Sequence, residues 1–240
     1  MRFFKPFGSV KAMTFDLDDT LYNNGPVIRQ AEQTLKSHLD KHFPRAARLT
    51  VGEWQSIKQD LISEIPELRS DMGELRLRTL KRALVHDGLT DDALHNAAMQ
   101  CFNCFYDARS NLTLDDDIHR VMAELSERIP LIAITNGNVD VEKVGIAGYF
   151  KRVYHASISR PMKPDVHMFD EAVNVLNMQP HNILHVGDSL INDVYGAGCA
   201  GMNTAWFAAN RNMQLSAERA SALPHVMLET FDELLAFAHR

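Results

Sequence analysis

Apolar positions along this chain follow two rhythms, and the change between them divides it. Val10 to Phe15 is a short, largely apolar run that reads as a buried strand. From about Pro26 to Arg109 the spacing becomes helical. Val27, Ile28, Ala31, Leu35 and Leu39 form one stripe, with Pro26 suited to its first turn. Trp54, Ile57, Leu61, Ile62 and Ile65 form a second stripe that stops at Pro66, and Leu75, Leu77, Leu80, Ala83 and Leu84 a third that stops at Asp87-Gly88. Thr90-Asp91-Asp92 caps a fourth, running through Met99 and Phe102 to Phe105.

Beyond Asn111 helices and strands alternate. A helix over Asp115–Arg128 leads to the apolar run Leu131 to Ile134, followed by a weaker strand at Val153–Ala156. A helix over Asp165–Asn177 precedes the strand Ile183–Val186, and one starting near Asn192 precedes Thr204–Phe207. Repeated αβ units predict an α/β fold with a Rossmann-like parallel sheet. The first strand is cut off from its sheet partners by the helical stretch. The reading is therefore a core of residues 1–21 and 110–240, with residues 22–109 inserted as a four-helix cap over the crevice.

Composition narrows the function. The 240 residues are 45% hydrophobic and 23% charged, as expected of a globular protein. A formal net charge of -6 without a basic stripe argues against nucleic acid as a partner. No apolar run approaches the roughly 18 residues that span a bilayer, and Met1 to Gly8 lacks the apolar core of a secretory signal, so no membrane partner is expected. Cys101, Cys104 and Cys199 are too few for a disulfide framework and suit a cytoplasmic address. Cys101 and Cys104 have C-x-x-C spacing but lie late in a helix with no second ligand pair, so they are read as packing.

The chemistry-bearing residues follow strands. Asp16 and Asp18, directly behind the first strand, can project into the crevice where α/β sheets bind ligands, one carboxylate attacking while the other moves a proton. Thr135-Asn136-Gly137-Asn138 offers a hydroxyl and turn amides for an anionic oxygen, although such a tetrapeptide is also an ordinary turn. Lys163-Pro164-Asp165 reads either as a helix entry or as an ammonium aimed at developing negative charge. His185-Val186-Gly187-Asp188, followed by Asp193, adds two carboxylates, so that four acidic groups are expected to converge. Such a cluster needs a cation, and an oxygen-only donor set suits magnesium. His185 is read as a packed or hydrogen-bonded residue.

The ordered set Asp16-x-Asp18-x-Thr20, Thr135, Lys163-Pro164 and Gly187-Asp188 with Asp193 resembles the four motifs of haloacid dehalogenase-like phosphatases, in their helical-cap subgroup. Phe15 to Tyr22 with Asn24, His185 to Asp188, Arg76 to Thr79 and Met1 to Phe4 look most like the bacterial phosphatases of flavin mononucleotide and of 5-amino-6-(5-phosphoribitylamino)uracil. The resemblance implies a magnesium-dependent phosphatase of small-molecule phosphate esters. Asp16 would be the nucleophile and Asp18 the general acid and base. Thr135 and the Asn136 amide would bind phosphoryl oxygens, and Lys163 would neutralise developing charge. Asp16, the Asp18 carbonyl and Asp188 would hold the metal, with Asp193 orienting Lys163 or a metal-bound water. A broad-specificity sugar-phosphate or nucleotide phosphatase, a mutase, a dehalogenase and an inactive binding protein are the alternatives. An aromatic leaving group would want a stacking wall, for which Tyr22, Trp54 and Phe102 are candidates, each also suited to cap packing.

Overall fold

A short apolar run among helices can be satisfied only by strands brought from elsewhere in the chain. In the computed structural model, which describes residues 1–220 and 222–238, seven strands do this. They are β1 (Arg2–Phe3), β2 (Ala12–Phe15), β3 (Leu131–Thr135), β4 (Arg152–His155), β5 (Ile183–Gly187), β6 (Asn203–Trp206) and β7 (Val226–Met227). Their order across the sheet is β1-β7-β6-β5-β2-β3-β4, and every pairing is parallel except β1 with β7. β2, β3, β5 and β6 are buried along their whole length, which is why they read as continuous apolar runs.

The expected α/β class is what the chain adopts. Side chains from the two faces of the sheet enter separate cores. One contains Met13, Phe15, Val121, Leu125 and Val186, and the other Ala12, Ile134, Met168, Phe169 and Ile183. The alternation of Met13 and Phe15 against Ala12 is the period-two signature of a sheet covered on both sides. Helix α5 (Asp116–Arg128) supplies Val121, Met122 and Leu125 to the first core, the single turn α6 (Val141–Val144) adds Val144, and α7 (His167–Leu176) supplies Met168, Phe169 and Ala172 to the second.

Between β2 and β3 lie four long helices, α1 (Asn24–His42), α2 (Val51–Glu64), α3 (Met72–Leu84) and α4 (Asp91–Arg109). They enclose a core of their own, centred on Ala31, Leu35, Leu80, Leu84, Cys101 and Phe105. Thr50 closes a capping box with Glu53 at the start of α2. Thr90 occupies the equivalent place before α4, but its side chain makes no capping bond. Cys101 packs in this core, where burial pushes its thiol up to about 12, and Cys104 is only partly buried. Among the described residues no helix is long and apolar enough to cross a membrane.

Two local expectations are corrected, and two short strands are added. Pro164 and Asp165 do not open α7. The helix begins at His167, and Asp165 instead accepts the His167 amide at 2.9 Å in the turn before it. The helix expected near Asn192 is a π-helical turn over Leu190–Tyr195 running into the short α8 (Gly196–Cys199). β1 and β7, two residues each, carry no periodic signal of their own and form only by pairing at the sheet edge.

Leu125 is fully buried, so Leu125→Ala is expected to cost about 2–5 kcal/mol. A urea midpoint unchanged from the parent would show that α5 does not anchor the core.

Candidate active site

Parallel pairing sets the level at which each strand ends. Phe15 is in register with Ala133 of β3 and with Val186 of β5, so the residues that follow emerge side by side at one sheet edge. Asp16 and Asp18 come from β2, Thr135 and Asn136 from β3, and Asp188 from β5. The Asp16 amide still donates to the Val186 carbonyl at 2.9 Å, which fixes where its side chain starts. Asp19 then turns the chain sharply with φ 62°, a conformation that aspartate tolerates better than most residues.

Lys163 lies at the centre. Its side chain is 1% exposed, and Nζ donates to Asp16 Oδ1 at 2.7 Å, to Asp193 Oδ1 at 2.6 Å and to the Ile134 carbonyl at 2.8 Å. All three ammonium donors are therefore used. Burial alone would lower its pKa, but Asp16 and Asp193 hold it above that of an ordinary lysine. The Asn136 side chain fixes the Lys163 backbone from both sides, accepting its amide at 2.7 Å and donating to its carbonyl at 3.0 Å. This clasp was not foreseen for Asn136, which had been assigned a backbone role alone.

Asp193 is the most heavily hydrogen-bonded of these carboxylates. Oδ1 accepts from Lys163 and lies 3.2 Å from His185 Nε2, while Oδ2 accepts the Ser189 amide at 2.9 Å. Despite its burial, Lys163 and His185 hold this carboxyl well below the usual range. An ionised carboxylate can only accept, so His185 carries its proton on Nε2, and Nδ1 accepts from the Thr14 hydroxyl at 2.7 Å. Burial lowers the His185 pKa and keeps the ring neutral, edge-on to Phe169. A Cβ at Gly187 would stand 2.3 Å from Asp193 Cγ, so only glycine admits this carboxylate under the β5 terminus.

Asp16, Asp188 and Asp193 each place an oxygen within 4.8 Å of the others. Thr20 donates to Asp16 Oδ2 at 2.9 Å, and Arg211 donates to Asp188 Oδ2 at 2.8 Å. Asp16 and Asp188 keep more spare acceptor capacity than Asp193. A hard, all-oxygen donor set with excess negative charge fits magnesium. Burial first, then Asp193, pushes the Asp188 carboxyl up to about 6 against the pull of Arg211. Burial likewise pushes Asp16 well above its ordinary value, with Lys163 opposing and Asp193, Asp188 and Asp18 adding to the rise.

Four carboxylates were expected to converge. Three do, and the Asp18 side chain stands apart. Its Oδ1 accepts from Tyr22 and from Arg109, the last residue of α4, whose guanidinium is 1% exposed. Tyr22 is thus bound to Asp18 and does not serve as a stacking wall, and burial raises its pKa so that it stays a donor. Oδ2 faces Gly137, where an added Cβ would come within 2.1 Å of it. Neither Arg109 nor Arg211 was marked from sequence. Each is an isolated arginine with no motif around it, and only the fold shows its partner.

In front of Asp18 lies a cavity of about 310 Å³ between the sheet edge and the cap helices, lined in part by Asn24, Lys58, Arg76, Phe105 and Asn138. Asn24 is among its lining residues, and its Oδ1 is buried without a protein partner. Phe102, another candidate for a stacking wall, lies parallel to Tyr106 at 5.7 Å and packs against the cap core.

The haloacid dehalogenase-like hydrolase family model matches residues 10–201. The chain belongs to the haloacid dehalogenase-like hydrolases. It is 32% identical, over 98% of both chains, to the 5-amino-6-(5-phospho-D-ribitylamino)uracil phosphatase of Escherichia coli. It is 26% identical to the human N-acylneuraminate-9-phosphatase, covering 95% of this chain and 93% of that one. Among solved structures, a 2-haloacid dehalogenase from Pseudomonas syringae superimposes with a TM-score of 0.88 at 30% identity, covering 95% of this chain and 97% of that one.

Asp16 and Asp188 resist ionisation in the bare fold, so the folded protein holds more protons than the unfolded chain between the ordinary aspartate pKa and about 6. Stability accordingly falls as pH rises through that window. Magnesium favours the ionised pair and offsets the loss, so the Tm gain on adding it should be larger at about pH 8 than at about pH 5. Equal gains at both would remove Asp16 and Asp188 from the ion site.

Proposed function

We propose that this hydrolase is a magnesium-dependent phosphomonoesterase acting through an aspartyl-phosphate on Asp16. The reading rests chiefly on the unequal carboxylate pair. Asp16 is buried against an ammonium, while Asp18 has one oxygen held by Arg109 and Tyr22 and the other directed past Gly137 towards the cavity. An Asp16 oxygen attacks phosphorus, the phosphorus–oxygen bond to the alcohol breaks, and Asp18 Oδ2 delivers a proton to the departing oxygen. The same oxygen then takes a proton from the water that cleaves the acyl phosphate, returning Asp16 and releasing phosphate.

Asp16, Asp188 and the Asp18 carbonyl are the groups that would hold magnesium, which screens the nucleophile from the phosphate charge. Thr135 Oγ1 accepts the Gly137 amide at 2.9 Å, leaving its own proton free for a phosphoryl oxygen. The Asn136 backbone amide is assigned to a second oxygen. Lys163 neutralises charge as it develops, and Asp193, itself held by His185 and Ser189, keeps the ammonium in place.

The proposed substrate is 5-amino-6-(5-phospho-D-ribitylamino)uracil, flavin mononucleotide or both, supported by the full-length similarity to the Escherichia coli phosphatase. Residues 1–21 and 110–240 form the catalytic core in this reading, and residues 22–109 form the cap that meets the leaving group. The likeness to a 2-haloacid dehalogenase favours a second reading, since both reactions use an aspartate nucleophile. Halide leaves without protonation, and nothing in that chemistry calls for Asp18 or for a cation beside Asp188.

Asp16→Asn is expected to abolish hydrolysis of para-nitrophenyl phosphate in the presence of magnesium, and Asp18→Asn to lower kcat by about 100- to 10,000-fold. Near-native turnover by Asp16→Asn would refute the nucleophile. Release of halide from 2-chloropropionate without phosphate release would select the dehalogenase.

A further inference from the structure

A second cavity, about 450 Å³, opens inside the cap behind the one that faces Asp18. Trp54, Leu35, Leu49 and Leu80 give it an apolar wall. Lys58 and Arg76 line both cavities, so the two chambers meet across these side chains. Arg76 is the better defined part of the boundary. Its guanidinium carbon lies 3.4 Å from the centre of the Phe105 ring, and Nη2 donates to Glu32 Oε1 at 2.8 Å, so α1, α3 and α4 together fix its plane. Among the described residues no other acceptor is paired with it, and Lys58 makes no ion pair.

The chemistry changes along this path. At the Asp18 end is a carboxylate with asparagine side chains beside it, in the middle two cations with unused N–H donors, and at the far end an indole and leucines. A site of that order suits a phosphate ester whose alcohol is a short hydroxylated chain ending in a planar ring. The Asp18 chamber, at about 310 Å³, is at the small end of the roughly 300–1,000 Å³ usual for ligand sites, so a long ester needs space beyond it.

We propose that the cap chamber walled by Trp54 is the ring-binding subsite of this enzyme, reached over Arg76 and Lys58. The assignment rests on the phosphatase reading and adds to it the position of the distal group. Trp54, which packs only partly against the cap core, supplies a face for the ring. Arg76 and Lys58 donate to hydroxyls of the chain or to ring oxygens.

Flavin mononucleotide and ribitol 5-phosphate test this, because they share the reacting end and differ by the ring. Ala47 lines the chamber, and Ala47→Trp fills it without touching Asp16, Asp18 or Lys163. In Ala47→Trp and in Trp54→Ala, kcat/KM for flavin mononucleotide is expected to fall about ten-fold or more, with ribitol 5-phosphate within about two-fold of the parent. Riboflavin, which has the ring and chain but no phosphate, should bind the parent and quench on binding, with Kd weakened about ten-fold by Ala47→Trp. Equal losses on both esters, or riboflavin binding indifferent to Ala47→Trp, would overturn the subsite. Riboflavin binding that responds to Ala47→Trp in a protein that hydrolyses neither ester would support the subsite and refute the phosphatase reading.

Discussion

One ammonium among buried carboxylates governs this site. Lys163 is withdrawn from water and can stay charged only because Asp16 and Asp193 each accept from it and the Ile134 carbonyl takes the third donor. Removing charges from water costs several kcal/mol per ion, and the cost is recovered only where every donor and acceptor is paired. Lys163 and Arg211 supply two positive charges against the three carboxylates Asp16, Asp188 and Asp193. The excess negative charge falls on the group that contains Asp16 and Asp188, the two with the most spare oxygen capacity, and the all-oxygen donor set suits a divalent cation.

The sheet order makes this packing possible. β2 lies between β5 and β3, so Asp188, Asp16 and Thr135 emerge from neighbouring strands at one height, and Lys163 reaches them from the segment that follows β4. Beneath them a hydrogen-bonded series runs from Thr14 through His185 to Asp193 and on to Lys163. Each member fixes the next, and the series begins inside the sheet, where the backbone is most constrained. The π-helical turn after β5 serves the same end, because it brings Asp193 back under Gly187, where no side chain fits.

Asp18 answers to a different part of the molecule. Tyr22 stands just before the four-helix insertion and Arg109 at its end, and both reach the same oxygen of Asp18. The two chain crossings between sheet and cap are thereby joined through the side chain that has a free oxygen towards the cavity. Any displacement of the cap must act on that contact, so the orientation of Asp18 and the placement of the cap are physically coupled.

Local pattern alone was enough for the α/β class, the four amphipathic helices and the buried strands, because period-two and helical spacing are written into consecutive residues. Asp16, Asp18, Thr135, Lys163 and Asp188 were visible for a related reason, since each follows directly on an apolar run or a turn. Arg109, Arg211 and the clasp of Asn136 on Lys163 were not, because their partners lie 91, 23 and 27 positions away and nothing nearby marks them. The sequence could propose Tyr22 as a stacking surface, but only the packed chain shows its hydroxyl bound to Asp18. Strand order, the turn of Asp18 away from the other three carboxylates and the cavity behind Arg76 were decided by tertiary structure. They depend on which buried groups must share charge and space, and that is settled only when distant segments meet.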